Sequence, residues 1–185
     1  MRFRWTMATL AAAALAWTTI IGEMPWLADA DAQVTPPVGA ASPANAKAAK
    51  LNYALKDLNG QNIRLDAYKG KVILLDFWAT WCGPCKVEIP WFIEFQDKYG
   101  KDGLQVIGVS VDDPLAKLKP YVSAMKMTYL VLQGLGKDSV LDAYSPMVAL
   151  PTTVLISRDG KVCQKHVGMA SRDVFENGIK LLLQL

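Results

Sequence analysis

Histidine occurs once in this chain and cysteine three times. Any site that needs several imidazole ligands is therefore excluded. Three cysteines cannot build a disulfide framework; they allow one pair and one spare. Charge is also sparse. Charged residues make up 20% of the 185 positions, the formal net charge is +3, and lysines and carboxylates are interspersed without a basic run. Such a surface favours no nucleic-acid partner. No internal repeat is present. What is abundant is apolar: 52% of the residues are hydrophobic, enough to pack the core of about one domain at this length.

The N-terminus carries the pattern of a targeting segment. Arg2 and Arg4 precede an uncharged, alanine- and leucine-rich run over residues 5–22, and Ala-Asp-Ala occurs at 28–30 and again at 30–32. Two readings fit. The small-residue triplets suit a cleaved signal peptide. The uncharged run is close to the length of about 20 residues that spans a bilayer, which suits an uncleaved anchor. Either way the domain is exported to a compartment where disulfides persist. Residues 28–50 hold nine alanines and three prolines and almost nothing large, the composition of a solvated linker. The expected division is 1–27 signal peptide or membrane anchor, 28–50 linker and 51–185 folded domain.

Within that domain, Asn59-Gly60 between two short alternating runs predicts a β-hairpin. Residues 71–79 (KVILLDFWA) and 104–111 (LQVIGVSV) read as strands covered on both faces. Residues 83–99 carry a helical pattern on Val87, Trp91, Phe92, Phe95 and Tyr99, stopped by Gly100. Pro90 is expected to kink that helix. Asp112-Asp113-Pro114 opens a helix to about Met127, with Pro120 an awkward interior residue. A short strand near 129–132 and a helix near 137–144 follow. A hairpin then spans 152–157 and 161–167, and Ser171 caps a last helix with Val174, Phe175, Ile179 and Leu182 facing inward. Strands alternating with helices, closed by an antiparallel pair, predict an α/β fold with a mixed central sheet.

The chemistry concentrates in WATWCGPCKVEIPWF, residues 78–92. With Cys82 at the end of a strand and Cys85 in the first helical turn, free N–H groups and the helix dipole favour a thiolate on Cys82. Cys82 then attacks a partner disulfide, and Cys85 resolves the mixed disulfide by forming Cys82–Cys85. Gly83 and Pro84 set the turn; Pro84 suits the first helical turn, where its missing N–H costs nothing. The plain alternative is an inert surface disulfide. Cys163-x-x-His166 adds two possible zinc ligands, but on a strand positions i and i+3 face opposite ways. A covalent haem site needs histidine after the second cysteine, where this chain has Lys86. Neither metal nor cofactor is therefore expected. Cys163 reads as a small core residue and His166 as structural.

VILLDFWATWCGPC followed by LPTT at 150–153 resembles a thioredoxin fold. CGPCKVEIP, the export segment and the long stretch between Val111 and Leu150 resemble the membrane-associated thiol-disulfide oxidoreductases of the TlpA/ResA type, over roughly Tyr53 to the end. The resemblance implies a three-layer fold with an N-terminal β-hairpin and an inserted segment before a cis-proline at Pro151. There the Leu150 backbone would lie beside the cysteines and take an extended substrate by β-augmentation. It implies that Asp76 is the buried acid behind the cysteines, a departure from the asparagine many members of that branch carry. It places Glu88 close to the pair, one helical turn from Cys85. Both are candidate acceptors of the Cys85 proton; the plain alternatives are a structural buried carboxyl and a first-turn carboxylate on the helix dipole. Trp81 would flank the cysteines as a docking surface, with Trp78 in the core.

The expected activity is an exported protein-disulfide oxidoreductase. By resemblance it is a reductant taking electrons from a membrane thiol donor to disulfides of envelope proteins, with cytochrome c or copper-site assembly proteins as clients. It is expected to be monomeric, with membrane contact only through an uncleaved N-terminus. Two rivals stand beside it: a thiolate copper chaperone, and a peroxiredoxin-type peroxidase. The latter wants a proline- and threonine-lined cysteine, which Ala79-Thr80-Trp81 does not supply.

Overall fold

The computed structural model describes residues 45–144 and 149–184. The targeting segment, the Ala-Asp-Ala triplets and most of the linker lie outside the described residues.

The Asn59-Gly60 turn forms for local reasons. Gly60 sits at φ 81°, a conformation glycine adopts without penalty. Asp57 Oδ1 accepts the N–H groups of Asn59 and Gln61, both at 2.8 Å. The turn joins β1 (Ala54–Asp57) to β2 (Asn62–Arg64) in antiparallel register. After a 3-10 turn at Leu65–Tyr68 comes β3 (Val72–Trp78), buried at every position. Its unbroken apolar sequence follows from its central place: β4 (Leu104–Ser110) runs parallel on one side and β6 (Thr152–Ile156) antiparallel on the other. With β5 (Leu130–Gln133) and β7 (Val162–Val167), the sheet order is β2-β1-β5-β4-β3-β6-β7. This is the mixed sheet expected of a thioredoxin-like α/β fold.

Helices cover both faces. α1 (Gly83–Tyr99) and α4 (Arg172–Leu183) meet through Phe92 and Phe175, ring centroids 5.3 Å apart and edge to face. α2 (Leu115–Ala124) lies on the same side, where Tyr121 stacks on Trp78 at 5.4 Å. Phe77, one residue earlier and so on the opposite face, packs against Tyr144 of α3 (Asp138–Tyr144) at 5.7 Å. No helix among the described residues is long and apolar enough to cross a membrane.

Several local expectations change. The buried stripe of α1 is Cys85, Glu88, Ile89, Phe92, Phe95 and Tyr99, while Val87 is exposed and Trp91 half-buried. A strict i+4 row advances about 40° round the helix per step, so 87-91-95-99 walks off the core; alternating i+3 and i+4 steps hold it. α2 ends at Ala124, short of Met127. Ser171 occupies the N-cap position of α4, but its hydroxyl makes no capping bond, and Val174 faces solvent. Lys47 to Ala49, composed like linker, run along β7: Ala48 bridges Lys161, Ala49 N–H donates to Gly160 O and Val162 N–H to Lys47 O.

Candidate active site

β3 delivers the chain to the site. After Trp78 the backbone turns, with Cys82 N–H donating to Ala79 O at 3.1 Å, and enters α1. Cys82 is the N-cap of α1. Its Sγ accepts the Cys85 N–H at 3.2 Å. That amide is one of the orphan donors of a helix start, the group that favours a thiolate once the bond opens. Cys82 and Cys85 form a disulfide. Both sulfurs belong to nearly buried residues (3% and 1% exposed), whereas Trp81 beside them is 60% exposed. Gly83 and Pro84 are exposed at the first turn of the helix.

Leu150–Pro151 is a cis peptide. Thr152 pairs with Phe77 in the β3–β6 ladder, so Pro151 sits alongside Trp78, at the end of β3 that feeds the cysteine turn. Pro151 O accepts Gly168 N–H at 2.8 Å. Two residues on, Ala170 N–H donates to Glu88 Oε1 at 3.0 Å. The segment after β7 thus ties the cis-proline loop to the active-site helix.

Asp76 and Glu88 are each 1% exposed. Asp76 lies between Gly108 and Thr153 in the sheet and accepts a hydrogen bond from Thr153 Oγ1 at 3.2 Å. Burial, reinforced by the charge of Glu88, holds its carboxyl well above the usual range against that bond. Burial pushes Glu88 up to about 7, against the Ala170 N–H bond. The two candidate acceptors are therefore close enough for the charge of Glu88 to act on Asp76.

A second cluster surrounds Asp113, which the sequence marks only as part of a helix start. Asp113 is 1% exposed. Its carboxylate accepts Thr80 N–H and Thr80 Oγ1, both at 2.8 Å, and Ser110 Oγ at 2.9 Å, and it pairs with Lys117 Nζ at 2.7 Å. Burial alone would raise its pKa, but the bonds from Lys117, Thr80 and Ser110 outweigh it and hold it below the usual carboxylate range. Asp112 Oδ2 accepts the Trp81 indole N–H at 2.9 Å. Consecutive aspartates thus fix the consecutive residues that precede Cys82. The available signal was position: two acids directly after a buried parallel strand, at the carboxyl end where α/β folds place their sites.

The remaining sulfur stands apart from this arrangement, while His166 lies opposite Thr153 in the β6–β7 ladder. Cys163 is half-buried rather than a full core residue, with Sγ 3.6 Å from Lys161 O. His166 packs edge-on against Phe175 at 5.3 Å. Among the described residues no group of three His, Cys, Asp or Glu is arranged to hold a metal ion.

Comparison with known proteins places these features in a known setting. The model of the AhpC/TSA family matches residues 44–165. The chain is 33% identical over 129 residues to the thiol-disulfide oxidoreductase ResA of Bacillus thuringiensis subsp. konkukian, covering 70% of this chain and 73% of that protein. ResA of Geobacillus kaustophilus matches to the same extent. Among solved structures, a putative thiol:disulfide interchange protein DsbE from Chlorobium tepidum superposes with TM-score 0.67 at 32% identity, over 74% of this chain and 97% of that one. StoA from Bacillus subtilis shares the fold, with TM-score 0.58 at 23% identity, over 68% and 94% of the two chains.

Proposed function

Since the chain belongs to the AhpC/TSA family and is a thiol-disulfide oxidoreductase of the ResA/DsbE type, we propose that it works as an exported reductant of protein disulfides. In the reduced state the Cys82 thiolate attacks one sulfur of a client disulfide, and the other client sulfur leaves as a thiolate. Cys85 gives its proton to the Glu88–Asp76 pair. The resulting thiolate attacks Cys82 Sγ, the second client thiolate leaves, and the Cys82–Cys85 bond closes. Two electrons have passed to the client, and a thiol donor at the membrane restores the dithiol.

The observation that carries this reading is a pair of buried carboxyls beside a disulfide at a helix N-terminus, one of them with a pKa of about 7. A group with that pKa takes a proton efficiently near neutral pH. Trp81, exposed and held by Asp112, offers the client an apolar contact, and the Leu150–Pro151 backbone offers an extended client strand its hydrogen bonds. The proposed clients are oxidised envelope proteins, apocytochrome c or copper-site assembly proteins among them. Residues 1–27 would deliver the domain to the envelope. The peroxidase reading needs a threonine hydroxyl turned to the nucleophile, and Thr80 Oγ1 is committed to Asp113.

Cys85→Ser tests the exchange. It should accumulate covalent complexes with envelope proteins that dissolve on adding thiol and are absent from the Cys82→Ser, Cys85→Ser double variant. If the single variant captures nothing, or the double variant captures the same proteins, the mechanism is wrong. The reduction potential of Cys82/Cys85 tests the direction of flow; a potential above that of its clients rules out a reductant.

A further inference from the structure

The face of the sheet under α1 and α2 carries more polar groups than the thiol chemistry described so far uses. Trp78 is fully buried and Tyr129 is 6% exposed. Among the described residues, Trp78 Nε1, the Tyr121 and Tyr129 hydroxyls, Glu88 Oε2 and His166 Nε2 on this face have no hydrogen-bond partner. A buried donor left unmade is costly, and native proteins hold few of them. Five such groups in one region, the indole N–H and two hydroxyls among them, call for a common cause.

Register brings them together. Trp78 follows Asp76 by two residues on β3 and shares its face. Gly108 is the cross-strand neighbour of Asp76, and Val131 of β5 is the neighbour of Gly108. Tyr129, two residues before Val131, faces the same way. A Cβ on Gly108 would lie 2.8 Å from Trp78 Nε1 and 3.0 Å from Tyr129 Cε2. The indole N–H and the tyrosine ring therefore converge over the one residue that separates them from Asp76. The glycine is what admits them. Asp76 itself accepts a bond only from Thr153 among the described residues. One hydroxyl is thin support for a buried carboxylate.

We propose that Tyr129, with Trp78 beside it, supplies the donors that hold the Asp76 carboxylate when it ionises, so that Tyr129 is a positioning residue for the proton-accepting pair. This rests on the carboxyl pair accepting the Cys85 proton. The disulfide form is the state reached after the pair has taken that proton, with Asp76 neutral and the donors idle. In the dithiol and mixed-disulfide forms Asp76 is charged and the donors engage. Burial raises the Tyr129 hydroxyl, and a charge on Asp76 lies near enough to raise it further. The other titratable groups that face this pocket are Glu88 on α1, Tyr121 on α2, Asp113 at the head of α2 and His166 on β7, opposite Thr153.

The test uses the chain with Cys82 in mixed disulfide with a chromogenic aryl thiol, following its release by Cys85 across pH. Tyr129→Phe keeps the ring and removes the hydroxyl. The limb of the pH–rate profile that reports the pair should move to higher pH by about one unit, the effect of one hydrogen bond to a charged group, and the rate at neutral pH should fall about tenfold. Alkylation of Cys82 in the Cys85→Ser background should be unchanged. 3-Fluorotyrosine at 129 keeps the packing and strengthens the donor, so it should move the limb to lower pH and serves if the phenylalanine variant fails to fold. Asp76→Asn should abolish the response to either change. A limb that stays in place in the Tyr129 variants while Asp76→Asn removes it overturns the inference alone. A limb that belongs to Glu88 only also overturns it. A limb that survives both Asp76→Asn and Glu88→Gln overturns the carboxyl mechanism itself.

Discussion

Replacing Glu88 by glutamine isolates the cost of keeping a carboxyl beside the cysteines. Glu88 rises from its ordinary 4.5 to about 7 because it is buried. The folded disulfide form therefore binds that proton more tightly than the unfolded chain. The stabilisation this gives is complete below pH 4.5 and is lost as pH rises through about 7. At about 1.4 kcal/mol per pH unit, that window is worth about 3 kcal/mol, which relaxation and water penetration around the ionised carboxylate reduce to about 2 kcal/mol. Glutamine is close to the protonated side chain in shape, keeps an acceptor for Ala170 N–H, and does not titrate. Urea unfolding of the disulfide form, followed by tryptophan fluorescence from pH 4.5 to 8, should show the wild type losing about 2 kcal/mol more than Glu88→Gln. In midpoint terms this is about 1 M urea. Near pH 4.5 the two proteins should be nearly equal. Asp76 slopes in the same direction in both; Glu88→Gln also removes the part of its rise that the Glu88 charge causes, which adds to the difference in the same sense. Parallel curves across the whole range would refute the claim that burial holds Glu88 protonated.

Three further changes probe the frame around the pair. Asp113→Asn removes the charge that gathers Thr80, Ser110 and Lys117; it should cost about 1–3 kcal/mol in thermal unfolding at pH 7 and alter Trp81 emission, while a variant of wild-type stability would show the cluster to be idle. Gly108→Ala forces a Cβ to 2.8 Å from Trp78 Nε1 and should destabilise by about 1–3 kcal/mol with a changed near-ultraviolet circular dichroism; an unchanged spectrum would count against the close approach. Glu176 is held at about 2, first by its bond from Lys98 and then by Tyr99, with Arg172 and Lys180 adding charge. Its contribution is present above pH 4.5 and lost as pH falls through about 2, so Glu176→Gln should lower the melting temperature at neutral pH and flatten the acid limb, and added salt should shrink the difference.

The sequence made the framework legible wherever one local rule was enough. An Asn-Gly dipeptide gives the hairpin, an unbroken apolar run gives the central strand, and Cys-Gly-Pro-Cys between a strand and a helical pattern gives the disulfide at the helix start. It was less legible where a side chain's role depends on what lies across the fold. Val87 and Val174 were placed inward by spacing and face solvent, because a stripe's phase is set by the partner surface and not by the helix alone. Asp113 looked like a helix opener; nothing adjacent to it announces Thr80, 33 positions away. Tyr129 looked like the first residue of a strand, and its nearness to Asp76 exists only through the β3–β4–β5 register.

Asp76, Glu88 and Asp113 show how far that dependence goes. All three are 1% exposed, so burial alone would raise all three. Donors decide the outcome. Asp113 collects an amide, two hydroxyls and an ammonium and stays ionised; Asp76 has one hydroxyl, Glu88 one amide, and both are pushed up. The division suits the chemistry. A group that must hold the turn before Cys82 in both redox states should not titrate near neutral pH, and Asp113, neutralised by Lys117, does not. A group that must take and return a proton should be short of permanent partners, and Asp76 and Glu88 are. Under the proposed mechanism the same residue type thus serves as a fixed strut on one side of the cysteine turn and as a proton store on the other.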